Sequence, residues 1–123
     1  MSKLKQEIKS SLQGIEEVSA LKSCARFLFP KKFSGFKGHF PNKPILPGVC
    51  KIQAALLVLE ARKHKNVRLT EIILAKFFAP VTFNEELIFN LEEEPKNDTE
   101  STVTVKVSCG NKKIAELKLR VNI

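Results

Sequence analysis

The sequence contains no tryptophan and no tyrosine, and only one methionine and two histidines in 123 residues. No RNA-binding signature of interleaved basic and aromatic residues is recognised in it either. No apolar run reaches the roughly 18 residues needed to span a bilayer as a helix. The opening stretch, MSKLKQEIK, is too charged for a signal peptide. Cysteine is scarce: Cys24, Cys50 and Cys109 are far apart and odd in number. They fit neither a zinc spacing nor a disulfide framework, so reduced thiols in a cytoplasmic protein are expected. Internal repeats and low-complexity segments are also missing. What remains is ordinary for a soluble globular chain, with 43% hydrophobic and 28% charged residues. The length predicts a single domain over residues 1–123, one that would gain stability by oligomerising.

Acidic residues are the minority, 13 against 21 Lys and Arg, for a net charge of +8. The excess is uneven. Residues 1–83 carry 15 basic and 5 acidic side chains, and residues 84–123 carry 6 and 8. A basic first two-thirds fits an anionic partner or a solvated lysine-rich face.

Periodicity is clearest at the C-terminal end. Val103, Val105, Val107 and Cys109 alternate with polar residues, and so do Ala115, Leu117, Leu119, Val121 and Ile123. Period two with one apolar face predicts two strands, joined at Gly110-Asn111 as a hairpin. Leu87, Phe89 and Leu91 predict another strand, ending before a polar loop at Glu92–Glu100. Residues 69–79, rich in Ile, Leu and Phe, predict a strand more buried than its neighbours, ending at Pro80. Leu21, Ala25, Phe27 and Phe29 predict a further strand ending at Pro30. In the first dozen residues Leu4, Ile8 and Leu12 fit both a helix and a strand face. Gly14 falls where a hairpin turn would sit, which tips that segment towards strand.

One segment is strongly helical. Val49–Lys63 is apolar on nearly every face, which predicts a buried helix. Pro47 and Gly48 mark its start, and Glu60, Arg62, Lys63 and His64 its wet end. The sum is an α+β fold of about six antiparallel strands and one buried helix inserted after the second strand.

The segment before that helix reads GHFPNKPILPGVCKIQ, residues 38–53. Pro41, Pro44 and Pro47 make it a stiff extended loop. His39 stands at its entry, a candidate general base. Gly48 at its exit opens the helix, where free N–H groups and the positive dipole end can bind an oxygen that gains negative charge. A single loop histidine is as readily a surface residue, and Pro-Gly before an apolar run is also simply a helix start.

GHFPNKPILPGV followed by an apolar helix resembles the signature of the β-hydroxyacyl-acyl-carrier-protein dehydratases of fatty-acid synthesis. The match covers residues 36–59 and extends more weakly through KFFAPV (76–81) and the C-terminal hairpin. The resemblance implies a hot-dog fold, an antiparallel sheet wrapped around a long central helix. It implies that His39 removes the C2 proton of a 3-hydroxyacyl thioester, and that Gly48, with Val49 beside it, binds the thioester oxygen. Fourteen residues after the histidine the family carries Glu or Asp, which helps the hydroxyl leave; here that position is Gln53. Phe40, Phe77 and Phe78 would line the acyl tunnel. Dimers are implied, with the histidine and the acid of each site on different chains. No metal or redox cofactor is expected. The partners expected are an acyl carrier protein or a CoA thioester, and a second hot-dog chain in a homodimer or heterodimer; nucleic acid and membrane are not.

This chain departs from the pattern in more than Gln53. Leu57 replaces a second helix glutamine. Phe78 and Ala79 stand where many members keep basic residues, and Asn84-Glu85-Glu86 replaces a Pro-Gly-Asp turn. Two functions follow. One is an enzyme, a dehydratase-like hydro-lyase or an acyl thioesterase. The other is a non-catalytic hot-dog subunit that completes the tunnel of an active partner.

Overall fold

A computed structural model describes residues 2–37 and 44–123. The chain forms α1 (Lys3–Ser10), β1 (Leu12–Glu17), β2 (Lys22–Leu28), a short 3₁₀ turn (Ser34–Phe36), α2 (Gly48–Lys63), β3 (Arg68–Phe77), β4 (Glu86–Pro95), β5 (Glu100–Cys109) and β6 (Lys112–Asn122). The strands make one six-stranded antiparallel sheet in the order β1-β2-β4-β5-β6-β3. This is the expected α+β hot-dog fold.

Alternation along each strand decides which residues meet α2. In register, Ala25 opposes Phe89, Phe89 opposes Val107, Val107 opposes Ala115, and Ala115 opposes Phe77. That row crosses five strands on the inner face. Its first four members are fully buried in one core with Ala54, Ala55, Val58 and Leu59 of α2. The helix is buried on almost every side, as its sequence requires. Gly110 takes φ +60° in the β5–β6 turn, a left-handed conformation that glycine adopts without strain.

Three expectations are corrected. The first residues form a helix, not a strand. A spacing of four fits both periods, and local capping decides between them. The Ser2 hydroxyl accepts from the Lys5 N–H at 3.2 Å, and Leu4 and Ile8 share one stripe against the core. Gly14 lies inside β1, at a register shift against β2, and makes no turn.

Strand β3 is the second correction. It pairs only with β6, lies at the sheet edge, and is largely exposed. Its apolar residues are plain in the sequence, but among the described residues most of them are left exposed. Ile72, Ile73, Phe77 and Phe78 are each 40–49% exposed.

The third correction concerns β4, which continues through the acidic run to Pro95. Glu93 keeps the inward parity of Leu87, Phe89 and Leu91, and its side chain is 1% exposed. Arg62 Nη1 donates to Glu93 Oε2 at 2.6 Å, and Lys63 Nζ lies 2.8 Å from Oε1. Arg62, expected at the wet end of the helix, is itself 6% exposed. It also donates to Glu17 and to the carbonyls of Ser19 and Ala20. The end of α2 is thus tied to β4 and to the β1–β2 connection.

Candidate functional site

Gly48 is the first residue of α2, after Pro47 at φ −63° and ψ 149°. No side chain caps this end; the Cys50 N–H donates to the Pro47 carbonyl at 3.1 Å, and the N–H groups of Gly48 and Val49 keep their capacity to donate. The approach is pinned from outside: the Leu46 N–H donates to the Val81 carbonyl at 2.7 Å. Beyond β3, the Phe78 N–H donates to the Ile114 carbonyl at 2.8 Å. These two bonds hold the entrance of α2 beside the end of the edge strand.

Phe77 belongs to the inner-face row of the sheet, so its ring turns towards the helix start. A Cβ on Gly48 would lie 2.6 Å from Phe77 Cζ and 3.1 Å from both Cε atoms. Glycine is required here by close approach, not by backbone angle. Gly48→Ala is therefore expected to force the ring aside and alter any turnover at the helix start, with the fold kept because Phe77 has an exposed side to move into. Unchanged kinetics with an unchanged melt would count against this contact.

A cavity of about 430 Å³ opens beside this contact. Ile45, Pro47, Gly48, Lys51, Phe77 and Phe78 are among its lining residues. The volume lies within the roughly 300–1,000 Å³ of small-molecule sites. The structure thus brings together Gly48, Phe77 and Phe78 around one cavity. Val49 points largely outward and is 59% exposed.

Gln53 does not line this cavity. It is half-buried, five residues after Gly48, and about 140° further round the helix at 3.6 residues per turn. His39 and Phe40 fall outside the described residues. Among the described residues no cluster of His, Cys, Asp or Glu could hold a metal. No helix among the described residues is long and apolar enough to cross a membrane. The cysteines are free; Cys50 is buried, and burial pushes its thiol upward, which suppresses the reactive thiolate.

One lining residue had not been singled out. Lys51 is 3% exposed although it is a lysine. Its ammonium donates to the Leu46 carbonyl at 3.3 Å and lies 5.1 Å from the centre of the Phe77 ring. Burial pushes its pKa below the ordinary lysine range. The sequence carries the signal, a lone charge early in an apolar helix, but charge at a helix start reads as solvent-facing until the strand opposite is placed.

Comparison with known proteins agrees with this fold and motif. A family model described as ApeI-like, ApeI dehydratase, matches residues 15–118. The 3-hydroxyacyl-[acyl-carrier-protein] dehydratase FabZ of Ehrlichia chaffeensis is 35% identical over 89 residues, covering 67% of this chain and 59% of that protein. The chain thus spans less than two thirds of that relative. The FabZ of the Wolbachia of Brugia malayi is 34% identical over 111 residues, covering 79% of this chain and 72% of that protein. Among solved structures, the dehydratase heterocomplex ApeI:P from Xenorhabdus doucetiae superposes with a TM-score of 0.80 at 18% identity, covering 91% of this chain and 96% of that one.

Proposed function

Because the chain belongs to the ApeI-like dehydratase family, we propose that it handles 3-hydroxyacyl thioesters, carried by an acyl carrier protein or by CoA, in fatty-acid or polyketide-type synthesis. The uncapped start of α2, opening at Gly48 into an apolar cavity closed by Phe77 and Phe78, is the observation that supports this most directly.

The N–H groups of Gly48 and Val49 bind the thioester oxygen and stabilise the charge it gains as the C2 proton leaves. His39 takes that proton. The hydroxyl on C3 leaves as water once it takes a proton from solvent water or back from the His39 imidazolium, leaving the 2-enoyl thioester. Gln53 occupies the acid position. An amide hydrogen-bonds the hydroxyl or a water but cannot give up a proton near neutral pH, so elimination is slow. The acyl chain lies along the apolar wall of Phe77 and Phe78, and the family resemblance adds Phe40 to the residues that meet it. The net charge of +8 suits an acidic carrier or a phosphorylated pantetheine arm. Three free cysteines suit the reducing cytoplasm.

The test is direct. Purified protein is incubated with 3-hydroxybutyryl and crotonyl thioesters, and both interconversion and free thiol are followed. Slow interconversion is expected; release of thiol alone would make the protein a thioesterase.

A second reading is a non-catalytic subunit that completes the site of a related hot-dog chain. Gln53 and the uncovered β3 favour it, and the similar Xenorhabdus structure is a heterocomplex. In either reading β3 pairs with another chain, since an exposed apolar edge strand is both an unpaired ladder and an exposed apolar patch. Light scattering at micromolar concentration is expected to report a dimer, or a monomer that dimerises only with the related chain. A stable monomer that pairs with neither would overturn the interface.

A further inference from the structure

We propose that Lys51 makes the cavity at the start of α2 a receptor for an anionic oxygen carried on the end of an apolar chain. The cavity's ligand is then recognised by charge as well as by chain. The proposal deepens the acyl-thioester reading above and rests on it for the identity of the chain.

The ammonium of Lys51 has three donors and no acceptor capacity. The Leu46 carbonyl takes one, and the Phe77 ring flanks the group. Among the described residues no carboxylate forms an ion pair with it, although lysines this deeply buried are ordinarily paired. Burying an unpaired charge costs stability, so the position has a reason other than packing. The other cavity-lining side chains, those of Ile45, Leu46, Pro47, Phe77, Phe78, Ala79 and Pro80, are apolar. Among the described residues Lys51 is thus the one charge the lining offers, and the positive end of α2 has the same sign. A complementary ligand has an apolar body and one oxygen that bears negative charge.

Two sources supply that chemistry. One is a free acyl carboxylate. The other is a thioester whose carbonyl oxygen becomes anionic when the C2 proton leaves. The competing account is mechanical: Lys51 merely clips the Leu46 carbonyl against Phe77. A clip and a receptor respond differently to Lys51→Met, which keeps length and removes charge. Loss of a clip lowers the melting temperature and weakens every ligand alike. Loss of a receptor leaves the melt unchanged or raised, and removes only the preference for the anion.

The experiment titrates the full chain with octanoate, octanol and octanoyl-pantetheine by calorimetry, in the wild type and in the Lys51→Met and Lys51→Gln variants. Wild type is expected to bind octanoate at least about tenfold tighter than octanol, equivalent to ~1.4 kcal/mol. In Lys51→Met that preference falls below about twofold while octanol affinity holds. Absence of saturable octanoate binding, no preference in the wild type, or a preference retained by the variant would each overturn the proposal. Should the methionine variant fail to fold, Lys51→Gln and the wild-type preference decide. Octanoate binding without octanoyl-pantetheine binding would sustain the receptor and overturn the thioester reading.

Discussion

Gln53→Glu is expected to raise the rate of 3-hydroxybutyryl-thioester dehydration by about 10²–10⁴-fold, the usual range for general acid–base assistance. The wild-type amide offers a hydrogen bond but no transferable proton. A glutamic acid on the same half-buried turn would offer one, and partial burial favours its protonated form. Gln53 lies on a different face of α2 from Gly48 and outside the cavity that Gly48 lines. The family resemblance, and not this position, implies that the acid of one chain serves the histidine of another. His39→Ala in the Gln53→Glu background is expected to return the rate to that of His39→Ala alone. Absorbance of the enoyl thioester follows both. No gain from Gln53→Glu would place the deficiency elsewhere in the site.

Glu93→Ala is expected to lower stability by about 3–5 kcal/mol, because it removes the buried partner of Arg62, whose side chain is 6% exposed and keeps only Glu17 and two carbonyls at its rim. For a domain of this size that is a fall of roughly 10–20 °C in Tm, read by circular dichroism. Arg62 and Lys63 both turn to this carboxylate, and Arg62 also holds the β1–β2 connection. Lys5→Ala removes a more exposed pair, Lys5 to Glu60 at 3.4 Å, and should cost less than about 1 kcal/mol. Equal melting temperatures for the two variants would refute the ranking.

The sheet was readable wherever one face was apolar and the other polar. Val103 to Val107 and Ala115 to Val121 left no ambiguity, and the central helix announced itself by its apolar faces. Failures came where meaning depended on a distant element. Leu4 and Ile8 satisfy two periods at once, and the Ser2 cap decides between them. Residues 69–79 read as core because apolar content does not say whether anything lies across from it. Glu93 read as loop because its partners sit some thirty residues earlier, on α2. In the site, Gly48 and Phe77 each carried a motif signal, but their contact follows from a five-strand register. Lys51 was missed for the same reason: only the position of Phe77 turns it from a surface charge into a cavity floor.

Phe77 serves two surfaces at once. Its ring bounds the cavity at Gly48, and its backbone lies on the open edge of the sheet. A chain that pairs along β3 therefore acts on the same ring that a ligand meets. Thermodynamic linkage then binds the two events. Whatever factor the occupied cavity applies to subunit affinity, the subunit applies to ligand affinity. If pairing presses the ring inward, assembly and occupancy oppose each other; if it draws the ring outward, each recruits the other. The edge strand is in this sense a sensor of the protein's company.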